Sequence, residues 1–153
     1  MTQFFYGSTV EDAKIIAKRG AILAPIPLYR AWLQFMKTEE PDYYEELVKG
    51  KSIDIMAQEF AQSNIATKDN IDKIILTHSV SHSLLRLAKL NEPKIVLGVE
   101  INNPPTSFLS LPGPIYLNKL TDVRLYEDAI EHKKDLMKAF ANYTKNFYLV
   151  KKK

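Results

Sequence analysis

The residue order predicts an α+β domain. Short strand candidates rich in aromatic and β-branched residues sit among amphipathic helical stretches, and they do not follow the strict β-α alternation of a doubly wound sheet. The apolar content, 46% against 25% charged in 153 residues, is that of an ordinary globular chain with one core. Five or six short strands predict two small mixed or antiparallel sheets with flanking helices around a shared core. No linker or internal repeat divides residues 1–153, so a single domain is expected, with a C-terminal helix over 128–148 and a basic tail over 151–153.

Phe4-Phe5-Tyr6 opens as an aromatic strand, and Gly7-Ser8-Thr9 leads into a helix running to Arg19. Ser8 with Glu11, or Thr9 with Asp12, offers a capping box; Ala13, Ile16 and Ala17 form an apolar stripe, and Gly20 stands at the left-handed C-cap position. Ala21 to Pro27 is apolar but holds Pro25 and Pro27, which predicts an irregular segment or an edge strand. A second helix is predicted over 28–37, with Leu28, Trp32 and Leu33 or Met36 on one face. Beyond Glu39-Glu40-Pro41-Asp42, two short helices over 43–49 and 53–61 are separated by Gly50, with Val48, Ile53, Met56, Ala57 and Phe60 pointing inward.

After a polar loop, Lys73–Thr77 reads as a buried strand, and His78-Ser79-Val80-Ser81 turns the chain. Ser79 or Ser81 can cap a helix carrying Leu84, Leu85, Leu87 and Ala88. Lys94–Ile101 is the clearest strand, apolar on both faces as a central strand is. Asn102 to Pro114, with four prolines and Gly113, reads as a loop whose Phe108 and Leu109 are pinned to the core. Ile115–Leu117 and Val123–Tyr126 are two further strands. Over 128–147 the spacing of Leu136, Phe140, Tyr143 and Phe147 predicts a helix.

The absence of cysteine excludes disulfides, thiolate zinc sites and thiol nucleophiles, and it favours an intracellular, cytoplasmic chain. The first residues show no signal-peptide pattern, and no apolar run approaches the ~18 residues of a membrane span, so no membrane partner is expected. A net charge of +3 gives no strong field toward nucleic acid or lipid, and Lys151-Lys152-Lys153 reads as a solvated tail. There is no G-x-S-x-G elbow, and the five glycines are too scattered for a phosphate loop, although the amides and hydroxyls of Gly7-Ser8-Thr9 could face an anion. His78 and His82 stand at metal spacing but have no third ligand, so no metal is expected; His132 and the Glu39-Glu40 and Glu45-Glu46 pairs read as solvated charge.

Three separated pieces together resemble the ADP-ribosyltransferase superfamily, which includes the poly-ADP-ribose polymerases, the bacterial toxins and the tRNA 2′-phosphotransferases. Phe5-Tyr6-Gly7-Ser8 followed by Ala13, Ile16 and Gly20 is similar to the family's first strand and helix. Ile75-Leu76-Thr77-His78-Ser79 with Val96–Ile101, and Gly113–Leu117 with Val123–Tyr126, look like its later strands.

The resemblance implies NAD as cofactor, with Gly7 and Ser8 against the nicotinamide amide, Tyr6 and Thr77 or His78 lining the pocket, Ser79 beside them, and Arg19 or Arg30 near the phosphates. The chain departs from the family at two places. Tyr6 stands where the family has histidine, and no Glu or Gln lies between Asn102 and Glu127 to stabilise an oxocarbenium-like ribose. Either another residue such as Glu100 acts with Tyr6 and His78 in catalysis, transferring ADP-ribose to protein or nucleic acid, or the domain binds without turnover. The alternative expectation is a non-catalytic module that meets a protein or RNA partner through its C-terminal helix.

Overall fold

The computed structural model describes residues 2–63, 73–84, 87, 91–102, 104 and 108–150. In chain order they form β1 (Thr2–Thr9), α1 (Val10–Arg19), β2 (Ala21–Ile22), α2 (Pro25–Glu39), α3 (Pro41–Val48), α4 (Ile53–Ser63), β3 (Ile74–Thr77) and α5 (Val80–Ser83). There follow β4 (Lys94–Ile101), β5 (Phe108–Leu111), β6 (Ile115–Tyr116), β7 (Leu120–Leu125), α6 (Lys133–Ala139) and β8 (Phe147–Leu149), with short 3-10 helices at Leu117–Lys119 and Glu127–His132. The architecture is mixed α+β. A six-stranded sheet has the order β5-β3-β1-β4-β7-β8, and β2 pairs with β6 in a two-stranded sheet. All pairings are antiparallel except β7 with β8, which is parallel.

β1 and β4 form the spine of the large sheet, paired from Thr2 opposite Ile101 to Thr9 opposite Lys94. Thr9 then caps α1, its hydroxyl accepting the Asp12 amide at 3.1 Å, and Gly20 ends the helix at φ 75°, where a side chain would be strained. The main core joins Phe4, Ile95, Leu97, Val99, Val123 and Leu125 of the sheet to Ala13, Ile16 and Ala17 of α1 and to Leu136 and Phe140. Leu33, Met36, Tyr44, Val48 and Met56 of α2 to α4 form a second cluster, and Trp32 and Phe35 pack against both.

Four local expectations are corrected. The helix expected from residue 28 begins at Pro25, because proline suits the first turn, where its missing N–H has no partner to lose; only Ala21–Ile22 of the preceding stretch pairs as a strand. Within the loop expected over 102–114, Phe108–Leu111 pairs with β3, since the prolines at 104 and 112 lie outside the paired residues. Leu109 is buried, as expected. Among the described residues, the helix expected through Leu84 to Ala88 is α-helical over Val80–Ser83, with Leu84 in a turn; Leu85 and Ala88 lie outside the described residues.

The helix expected over 128–148 is α-helical only over Lys133–Ala139, after a short 3-10 helix. The helix stops at its Phe140 cap, and beyond it Thr144 and Asn146 hold the chain on a different path. Both side chains donate to the Thr121 carbonyl at 3.1 Å, and the Thr144 hydroxyl also accepts the Asn146 amide, offering the backbone partners that a helix would otherwise supply. Phe147–Leu149 is thereby laid along β7. The tail over 151–153 lies outside the described residues, among which no helix is long and apolar enough to cross a membrane.

Candidate functional site

Strand alternation sends Tyr6 and Ser8 to one face of β1 and Gly7 and Thr9 to the other. At this end of β1 a cleft of about 370 Å³ opens. Its walls come from Glu11 and Asp12 at the start of α1, Leu28, Tyr29 and Trp32 of α2, Phe60 of α4, Thr77 of β3, and His82 and Ser83 of α5. Gly7 makes the enclosure possible. A β-carbon there would lie 2.0 Å from the Ser83 carbonyl oxygen, so the bare glycine backbone lets α5 dock directly on β1.

Two features give the cleft its chemistry. The first is an aromatic wall. Tyr29 stacks on Phe60 with ring centroids 4.4 Å apart and on Trp32 at 5.9 Å, and the Trp32 indole N–H donates to the Glu11 carboxylate at 2.6 Å, which fixes the ring. The second is negative charge. Glu11, Asp12 and Glu92 line the cleft, and among the described residues no lysine or arginine joins them there. Burial, assisted by the charge of Glu11 and more weakly of Glu92, pushes the Asp12 carboxyl from an ordinary 3.8 up to about 6, against a smaller opposing effect of its hydrogen bond with Thr9. A carboxyl in that range can hold or release a proton near neutrality. Comparison with protein-family models, with curated proteins and with solved structures finds no match.

The structure brings Tyr6, Gly7, Ser8 and Thr77 together on this cleft, although they come from separate parts of the chain; Phe5 and Thr77 are register partners. Two of their hydroxyls are already engaged: Ser8 donates to the Thr9 carbonyl and Thr77 to the Ser79 carbonyl, each at 2.8 Å. Ser79 accepts the His82 amide and so serves as the α5 cap. His78 lies exposed in the bend before α5, and it is His82 that lines the cleft, so the two imidazoles do not share a helical face. Among the described residues no three His, Asp or Glu side chains converge as metal ligands.

Neither His78 nor Ser79 lines the cleft, and the other three proposed residues lie farther away. Arg19 and Arg30 line a separate groove on the other side of α2. Glu100 is exposed on β4 opposite Gln3, five positions from the Ile95 that pairs with Ser8, or roughly 17 Å along the strand. Sequence reasoning missed Trp32, Tyr29 and His82 as cleft residues. Asp12 and Phe60 were visible only as a helix cap and a core candidate, because their cleft role depends on how α2, α4 and α5 pack.

A pH dependence follows from Asp12. Between pH 3.8 and about 6 the folded chain holds this proton more tightly than the unfolded chain, so the carboxyl's contribution to stability falls as pH rises through that window. Asp12→Asn removes the penalty. The variant is expected to be more stable than the parent at pH 7.5 by roughly 2 kcal/mol, at ~1.4 kcal/mol per unit of displacement with partial solvent screening, and to show no advantage at pH 3.5. Urea midpoints at the two pH values measure this, and an equal gap at both would show that the carboxyl's titration is not the cause.

Proposed function

We propose that the chain is a nicotinamide-nucleotide-binding domain of ADP-ribosyltransferase-like kind, taking NAD into the cleft at the end of β1. The observation that carries this reading is the convergence of Tyr6, Gly7, Ser8 and Thr77 on one cleft beside a stacked aromatic wall. In this reading the nicotinamide ring lies against Trp32 and Tyr29. As a pyridinium it carries the positive charge that Glu11, Asp12 and Glu92 favour, and the pyrophosphate points out of the cleft, away from those carboxylates. Binding is the activity proposed. Where the family places its catalytic acid this chain has the Gly113–Pro114 turn, and Glu100 is too far along β4 to replace it.

Trp32 is the only tryptophan, so its emission reports directly on the cleft. Titration with NAD and with nicotinamide riboside is expected to quench it saturably, ADP-ribose is expected to act more weakly, and no free nicotinamide should accumulate. If neither nicotinamide-bearing ligand changes the emission, the reading fails. A second reading, docking of a protein or RNA partner at the C-terminal segment, draws on Tyr148 and Leu149, each 52% exposed on the outermost strand of the sheet.

A further inference from the structure

We propose that the groove on the far side of α2 from the cleft binds single-stranded nucleic acid. It measures about 430 Å³ and runs between the end of α1, α2 and the β2–β6 sheet. Arg19 and Arg30 line it, over a floor that includes Ala21, Leu23 and Ile53, and Tyr116 stands at its side with 62% of its surface exposed. Such a ring, on a strand paired in register with Ala21, is a platform for an unpaired base.

The groove is not isolated. Through Arg30 and Gln34 it joins a neighbouring groove that adds Lys37 and Lys51, and through Arg19 and Gln34 it joins a shallow one that adds Lys18. Among the described residues that line these surfaces the carboxylates are Glu45 and Asp54, and Glu59 beside them pairs with Lys51 at 2.7 Å. The Asp54 partner of Arg30 forms an exposed pair, the kind that contributes little and can yield to a phosphate. α2 therefore separates an acidic aromatic cleft from a basic track.

The occupant follows from this combination. Spaced cations match a repeating phosphate backbone, and the exposed ring with its apolar floor matches bases. An acidic peptide would use only the charges. A duplex would leave the ring without a partner, since its bases are already stacked and paired. The assignment concerns a different surface from the nicotinamide cleft and stands whether or not that cleft binds NAD.

The test uses the full chain and a fluorescein-labelled oligouridylate of about 12 nucleotides, followed by anisotropy across a salt series. Binding at low salt that weakens steadily as salt rises is expected. The double variant Arg19→Gln, Arg30→Gln should lower affinity about tenfold or more and flatten the log–log salt slope by about 1.4. Tyr116→Ser should lower affinity about fivefold or more with the slope unchanged. Circular dichroism confirms that these surface variants fold. Replacing Lys151, Lys152 and Lys153 together by glutamine is expected to have little effect. The proposal is overturned by absence of binding at low salt, by loss that follows the tail variant instead of the groove variants, by indifference to Tyr116→Ser, or by equal affinity for a polyglutamate peptide or a duplex.

Discussion

Replacing Gly7 by alanine is expected to lift α5 off the sheet and abolish ligand binding in the cleft. The new methyl would lie 2.0 Å from the Ser83 carbonyl oxygen, 2.8 Å from its carbon and 3.3 Å from the Leu84 side chain. The first two contacts are backbone, and neither partner has slack. β1 is held to β4 on both sides of Gly7, while the Ser83 amide donates to the Ser79 carbonyl and Ser79 caps the turn. Relief must therefore move the whole turn, with His82 and Ser83 leaving the cleft wall. Overpacking costs ~1–3 kcal/mol where side chains can adjust, and a backbone collision belongs at or above the upper end. Gly50→Ala is the control. Its φ of 81° strains a side chain, but nothing lies within 4 Å, so only about 1 kcal/mol is expected and the cleft is untouched. Urea midpoints and the Trp32 response to nicotinamide riboside read both effects, and a Gly7→Ala chain that matches the parent in both would refute the close approach.

The parts of this fold that could be read from the sequence are those fixed by neighbours along the chain. Thr9 and Gly20 bound α1 because a cap and a left-handed stop act within a few residues, and Lys94–Ile101 is legible because a run apolar on both faces has few places to go but the middle of a sheet. β5 was hidden because four residues between prolines look like loop until β3 arrives beside them. β8 was hidden by a coincidence of spacing: Phe140, Tyr143 and Phe147 fall at helical intervals, yet Thr144 and Asn146 turn the chain before Phe147. The cleft is divided in the same way. Gly7 and Ser8 follow directly from the strand-to-helix turn, but Trp32 meets Glu11, and Glu92 comes near Asp12, only after tertiary packing. No local pattern encodes those meetings.

Phe140→Ala is expected to cost about 3–5 kcal/mol, a large part of the ~5–15 kcal/mol that holds a domain of this size together. The ring is fully buried in the main core with Leu136 and the apolar face of α1. Its backbone matters as well: the Phe140 carbonyl accepts the amides of Tyr143 at 2.9 Å and Thr144 at 3.0 Å, and so forms the turn that carries Thr144 and Asn146 to Thr121. Loosening the ring should therefore also release β8, visible as faster exchange of the Val150 amide, which donates to the Leu125 carbonyl at 2.7 Å. Tyr148→Ser separates the fold from any contact surface, because that side chain is half exposed and should leave the urea midpoint within about 0.5 kcal/mol of the parent. If Phe140→Ala costs under about 1 kcal/mol, α6 is not a structural clamp and its aromatic face is open to a partner. With the expected loss, the Leu136–Phe140 face of α6 belongs to the core, and a partner at this end of the chain would meet the exposed Met137, Tyr143, Tyr148 and Leu149.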